Sequence, residues 1–262
     1  MPDYAYAIIG ISVIFVCTSI GALIVFFIKK DISSTLNKIF IGFAAGVMLS
    51  ASFFSLIKPA LEEEVNYMPS WAVVAISVLL GALFLWLIDR IVPHFHAMEN
   101  KEEGIKNTGL SKNAKMFLAV TIHNIPEGLS VGIAFGVALA NSGDQSLLMG
   151  ALLLAVGIGI QNIPEGAVVA LPIKGETGSS KKAALFGIGS GAVEPIAAII
   201  GLFLAMQIQA LMPWALAFAA GCMIYVVGEE MIPEMKSEDG HSNYGVWAFI
   251  IGFVVMMVLD CL

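Results

Sequence analysis

The sequence predicts an all-α polytopic membrane protein with eight transmembrane helices. Of its 262 residues, 58% are hydrophobic and only 13% charged, against roughly 25% charged in an average soluble domain. The apolar residues fall in eight runs, each close to the ~20 residues that cross the hydrocarbon as a helix. The basic residues fall almost entirely in alternate loops, as the topology of a multi-pass chain requires. No stretch rich in Pro, Ser or Gly is long enough to separate domains, so 1–262 reads as one transmembrane domain.

The runs lie at about 5–28, 37–61, 70–92, 114–140, 146–172, 182–208, 211–233 and 244–261, with boundaries expected to be good to about four residues. Met1-Pro2-Asp3-Tyr4 carries no basic residue, which marks the first run as a retained helix and not a cleaved signal peptide. Lys29, Lys30 and Lys38 sit in the first loop, Arg90, Lys101, Lys106, Lys112 and Lys115 in the third, Lys174, Lys181 and Lys182 in the fifth, and Lys236 in the seventh. Only Lys58 falls near the other side, where the loops carry Glu62-Glu63-Glu64 and Asn141 to Gln145. The positive-inside rule then makes the odd loops cytoplasmic and places both termini outside a cell (inner) membrane. Phe43-Ala44-Ala45-Gly46-Val47-Met48 in the second run recurs as Phe218-Ala219-Ala220-Gly221-Cys222-Met223 in the seventh. An even and an odd span cross in opposite directions, so the echo hints at an inverted repeat relating spans 1–3 to spans 6–8. Chance similarity between two small-residue helices explains six residues equally well.

The fourth and fifth runs carry the chemistry. One hexapeptide appears twice, His123-Asn124-Ile125-Pro126-Glu127-Gly128 and Gln161-Asn162-Ile163-Pro164-Glu165-Gly166. Each copy sets a polar residue four positions before a glutamate, which puts both on one helical face. Two such helices side by side can offer His123, Glu127, Gln161 and Glu165 to one cation. Pro126 and Pro164 lack an amide hydrogen, free the carbonyls of Ile122 and Ile160, and are expected to bend both helices beside these residues. Ionisable groups in hydrocarbon cost about 3 kcal/mol each on insertion scales, so they mark a pathway or a site. The structural alternative is a pair of kinked packing helices whose polar groups satisfy one another.

Elsewhere the polar residues divide. Glu194, followed by Pro195, lies mid-span after Gly187-Ile188-Gly189-Ser190-Gly191 and belongs at or beside the site. Glu229 and Glu230 end the seventh span; solvated helix-end charges are the favoured reading, a metal exit station the sharper one. Met48, Ser50, Ser52 and Ser55 read as packing in preference to an entrance. His94, His96, Glu99, Glu102 and Glu103 in the third loop read as ordinary solvated loop, and His241 carries no pattern.

One imidazole, two carboxylates and an amide oxygen suit zinc and iron, and admit manganese and cadmium less selectively. Cys17, Cys222 and Cys261 lack CxxC spacing and form no disulfide framework. A net charge of −7 spread over loops gives no sign of nucleic-acid binding. There is no nucleotide motif, and a single buried histidine does not satisfy the HExxH pattern of a zinc protease. A cation channel, and after it an intramembrane metal-dependent hydrolase, are the competing functions.

These residues resemble the signature of the ZIP family, the zinc/iron-regulated transporter-like proteins, and within it the prokaryotic, GufA-like branch. The resemblance spans the whole chain: eight spans, HNxPEG in the fourth, QNIPEG in the fifth and Glu194 in the sixth. It implies a transporter and not an enzyme, with no catalytic cofactor. Zn2+, Cd2+, Fe2+ or Mn2+ is the substrate, moved into the cytoplasm by alternating access, often within a homodimer in the lipid bilayer. By resemblance His123, Glu127, Gln161 and Glu165 form the primary metal site, and Asn124, Asn162, Glu165 and Glu194 the second, with Glu165 bridging. Some relatives have aspartate at the position of Asn162, which lowers the charge of the second site here.

Overall fold

The computed structural model describes residues 2–28, 33–63, 65–96, 101–105, 109–141, 143–207, 211–236 and 243–261. Expectations that fall on Lys29, Lys30, Glu64, Glu99, Lys106 and His241, or on the side chains of His96, Lys101, Glu102 and Glu103, lie outside the described residues. The first span is α1 (Asp3–Leu23), extended by a short 3-10 turn to Phe26. The second is α2 (Ser34–Ala51), a π-helical turn (Ser52–Ile57) and α3 (Lys58–Glu62). The third is α4 (Ser70–Ile91), followed by a hairpin of β1 (His94–His96) and β2 (Lys101–Glu103). Spans four and five are α5 (Lys112–Ala140) and α6 (Gln145–Thr177); span six is α7 (Ser180–Gly191) plus α8 (Val193–Gln207). Span seven is α9 (Met212–Val226), a second π-helical turn (Val227–Met231) and α10 (Ile232–Lys236), and α11 (Tyr244–Asp260) is the eighth.

Seven of these spans are long and apolar enough to cross a membrane. The eighth, with 17 residues, stands at the lower end of the usual range of about 17–25. Local chemistry sets several of the ends. Ser33, Ser111, Asp144 and Ser179 each accept a bond from a first-turn amide of the helix they precede, satisfying a donor that the helix leaves open. Gly178, at φ +66°, stops α6 in the left-handed conformation. Lys174 Nζ donates to the carbonyls of Val25 and Ile28 at 2.7 and 2.6 Å, capping the end of the first span with a cation as the helix dipole favours.

The helices pair as α2 with α11, α4 with α9, α1 with α6, and α5 with α8. Exchanging spans 1, 2, 3 and 4 for 6, 7, 8 and 5 maps this set onto itself. The equivalence extends to single residues. A Cβ at Gly46 would overlap the carbonyl of Phe249 and one at Gly252 that of Phe43; one at Gly221 would overlap the carbonyl of Val78 and one at Gly81 that of Phe218. Ser52 and Val227, each nine residues after its Phe, begin the two π-helical turns. The echo noted in the sequence therefore coincides with a structural inverted repeat, and chance similarity does not account for it.

Two four-helix units result, spans 1, 4, 5 and 6 in one and spans 2, 3, 7 and 8 in the other. Within each unit helices meet backbone to backbone at glycines, as in α5 and α8, where a Cβ at Gly132 would overlap the carbonyl of Ala198. Between the units, Gly157 of α6 faces the side-chain sulfur of Met256 on α11.

Candidate metal centre

The centre is built on α5 and α6, which lie side by side and run as helix through Pro126 and Pro164. The terminal glycines of the two hexapeptides fix what flanks them. A Cβ at Gly128 would overlap the carbonyl of Glu194, and one at Gly166 the carbonyl of Thr18. Glu194 of span six and Thr18 of span one are thus equivalent positions of the repeat, brought against the paired motifs by backbone contact. Sequence reasoning found Glu194 from its charge and missed Thr18, whose hydroxyl has no signal of its own.

The polar side chains form two groups. Gln161 Nε2 donates to Glu127 Oε1 at 2.7 Å. Around Glu194, Thr18 Oγ1 donates to Glu194 Oε1 at 2.7 Å, Asn124 Nδ2 to the same oxygen at 3.1 Å, and Asn162 Nδ2 to Thr18 Oγ1 at 3.0 Å. Asn124 Nδ2 also reaches the carbonyl of Ser190 at 3.1 Å. His123 turns the other way, its Nε2 2.5 Å from Glu230 Oε1. Of the four proposed primary ligands, Glu127 and Gln161 are hydrogen-bonded to each other, and among the described residues no three His, Cys, Asp or Glu side chains are gathered as a metal-holding group.

Five side-chain oxygens here are buried without a hydrogen-bond partner: Glu127 Oε2, Gln161 Oε1, Asn162 Oδ1, Glu165 Oε1 and Glu194 Oε2. Buried acceptors without donors are costly, and each comes from a residue of the two hexapeptides or from Glu194. Oxygen acceptors of this kind are what a cation fills. A cavity of about 110 Å³ reaches the group from the side of the odd loops, lined by His123, Glu165, Met48, Phe95, Glu230 and Glu234 among others.

Several expectations change. Glu230 is 8% exposed and paired with His123, not a solvated helix-end charge; Glu229 is exposed, as a helix-end charge should be. Both residues lie on the π-helical turn, and consecutive residues of a helix point about 100° apart, so Glu229 faces outward while Glu230 faces inward. The third loop is not ordinary solvated loop at His94, which is 1% exposed and pairs with Asp89 at 2.9 Å. Burial lowers the pKa of His94, but the hydrogen bonds to Asp89 and the Val92 carbonyl and the Asp89 charge outweigh it and raise the value overall. Met48 lines the cavity. Ser50 and Ser52 are buried, and Ser55 Oγ donates to Asp260 Oδ1 at 2.5 Å in the opposite half of the molecule. Asp260 and Asp89 were missed because each sits near the end of an apolar run, where a carboxylate reads as an interfacial charge. Each stands eight residues after a repeat-related glycine, Gly252 and Gly81.

The sequence profile described as "ZIP Zinc transporter" matches residues 4–117 and 114–260. The zinc transporter GufA of Myxococcus xanthus is 38% identical, with 93% of each chain covered. The zinc transporter ZIP11 of Homo sapiens is 34% identical over 93% of each chain. The zinc transporter ZIPB of Bordetella bronchiseptica is 33% identical over 97% of this chain and 80% of its own.

Proposed function

Since the chain belongs to the ZIP family of zinc transporters, we propose that it carries a divalent transition metal, zinc foremost and cadmium, iron(II) or manganese besides, across the cell membrane into the cytoplasm. The observation that carries this reading is the set of five buried, unpartnered oxygens on the paired hexapeptides and Glu194. Such a set lacks only positive charge. Glu127 and Glu165 balance a divalent ion in the membrane interior while His123 stays neutral. Gln161 Oε1 and the free oxygens of the two glutamates are available without breaking the Gln161–Glu127 bond. His123 joins them by exchanging Glu230 for the metal.

The cavity supports an inward-open arrangement, with Glu165 and His123 in contact with the side that the lysine-rich loops occupy. The metal leaves past Glu230 and Glu234, two carboxylates that line its way out. On the other side Ser55 and Asp260 close on each other. Alternating access follows if the unit holding spans 1, 4, 5 and 6 shifts against its partner unit. Both termini then face outside, and by its family resemblance the chain works as a homodimer.

The test is uptake of zinc, cadmium, iron(II) and manganese into proteoliposomes of the purified protein, with Glu165→Ala alongside. Saturable zinc uptake is expected, reduced in the variant at least about tenfold, the loss that even outer partners of a bound metal produce. Metal binding without uptake would defeat the transport reading.

A further inference from the structure

The inverted repeat makes each half of the molecule a guide to the other. Phe43 and Phe218 are equivalent at the glycine contacts, as are Gly252 and Gly81. Counting on along the same helices, Ser55 corresponds to Glu230 and Asp260 to Asp89. Ser55 and Glu230 each stand three residues after the first residue of a π-helical turn. In the paired hexapeptides His123 corresponds to Gln161. The equivalent side chains nevertheless hold different partners. At the outer end Ser55 Oγ donates to Asp260 Oδ1 within its own four-helix unit. At the inner end, where the cavity lies, Glu230 is turned to His123 of the other unit and Asp89 pairs with His94 at 2.9 Å.

A transporter built on an inverted repeat opens one end as it closes the other, so the closed outer end is the pattern for the inner end once that shuts. The pair to be joined there is two carboxylates, Glu230 and Asp89, which do not approach without positive charge between them. His94 is placed to supply it. It is 1% exposed, and both ring nitrogens face oxygens, Nδ1 the Val92 carbonyl at 2.8 Å and Nε2 the Asp89 carboxylate. A carbonyl only accepts, so Nδ1 carries a hydrogen. The Glu230 charge already acts on this ring, adding to the rise in its pKa.

We propose that Glu230 moves between two histidines: it holds His123 while the inner end is open and joins the Asp89–His94 pair when that end closes, which makes His94 the positioning residue that shuts the cytoplasmic side. This rests on the reading of the molecule as an alternating-access carrier. The exchange releases His123 as the inner end shuts, so its imidazole is free for metal when the site faces outside. At the outer end the same event takes Ser55 from Asp260 to Gln161, the counterpart of His123.

The experiment reads the two ends separately, on the purified full chain in lipid nanodiscs with a chelator and no metal. In a chain without Cys17, Cys222 and Cys261, Ala119→Cys on the cavity wall reports the inner end. Leu259→Cys, which faces Gly157 across the boundary between the units, reports the outer end. A thiol reagent labels each cysteine at a rate set by the population in which its end is open. His94→Phe keeps a ring, removes the charge and leaves Glu230 and Asp89 to repel each other when the inner end shuts. It should raise the ratio of inner to outer labelling about tenfold, as the loss of one bond to a charged group does. Asp260→Ala, which leaves the hairpin untouched, should lower the ratio about as far, and the two together should return it close to the wild-type value. An unchanged ratio in either single variant overturns the proposal. So does a double variant that keeps the full rise of His94→Phe, the mark of a hairpin merely loosened. Labelling without metal does not depend on uptake, so failure here is distinct from failure of the transport reading.

Discussion

Glu230 and His123 hold each other where both line the cavity, and on the proposed reading their separation frees the imidazole for metal. A second histidine works at the same end. His94 is tied to Asp89, and this pairing lifts its pKa above the ordinary histidine value of about 6.5. A raised folded-state pKa means that the pairing contributes fully below the ordinary value and is lost as pH rises through the raised one. The unfolding midpoint of the wild type is expected to fall across that alkaline-going window, with the drop flattened in Asp89→Asn; equal slopes in the two proteins would separate His94 from hairpin stability. At this scale the sequence displayed the residues whose type is itself unusual in a membrane. His123, Glu127, Glu165 and Glu194 stand out because charge in hydrocarbon is expensive. Thr18 and Asp260 did not stand out, because a hydroxyl or a helix-end carboxylate becomes informative only once its partner is known.

Among the elements, glycine does most of the positioning. Gly46 and Gly221 let α2 and α9 lie against the carbonyls of Phe249 and Val78. Gly46→Val and Gly221→Val should each destabilise by about 1–3 kcal/mol, the usual cost of forcing bulk into a filled contact. Because the two are repeat mates, the losses should be similar. Thermal unfolding of both variants checks this, and a large loss in one with none in the other would argue against equivalent packing. The two π-helical turns belong to the same scale. Hydropathy located the spans that contain them to within a few residues, yet it is blind to a turn of different pitch inside a uniformly apolar run. Glu230, on one such turn, read as exposed because a carboxylate at the end of an apolar run reads as an interfacial charge.

For the whole molecule, the division into two units locates the surface along which motion can occur. Backbone-to-backbone glycine contacts join helices within each unit, whereas across the boundary Gly157 meets the Met256 side chain. Joining cysteines introduced as Gly157→Cys and Met256→Cys, in a chain without Cys17, Cys222 and Cys261, with a short cleavable linker should stop uptake, and cleavage should restore it. Uptake that continues while linked would refute movement at this surface. The sequence by itself determined the membrane class, the positions of the spans, the paired hexapeptides and the charge they bury, since each follows from local composition or from spacing along one helix. Only the tertiary structure decided that Glu194 meets Thr18, that His123 faces Glu230 and not Gln161, and that eight helices divide as two fours. Those facts depend on which helix packs against which. The apolar surfaces of membrane helices are too alike to encode that choice locally, so small-residue contacts between distant segments make it.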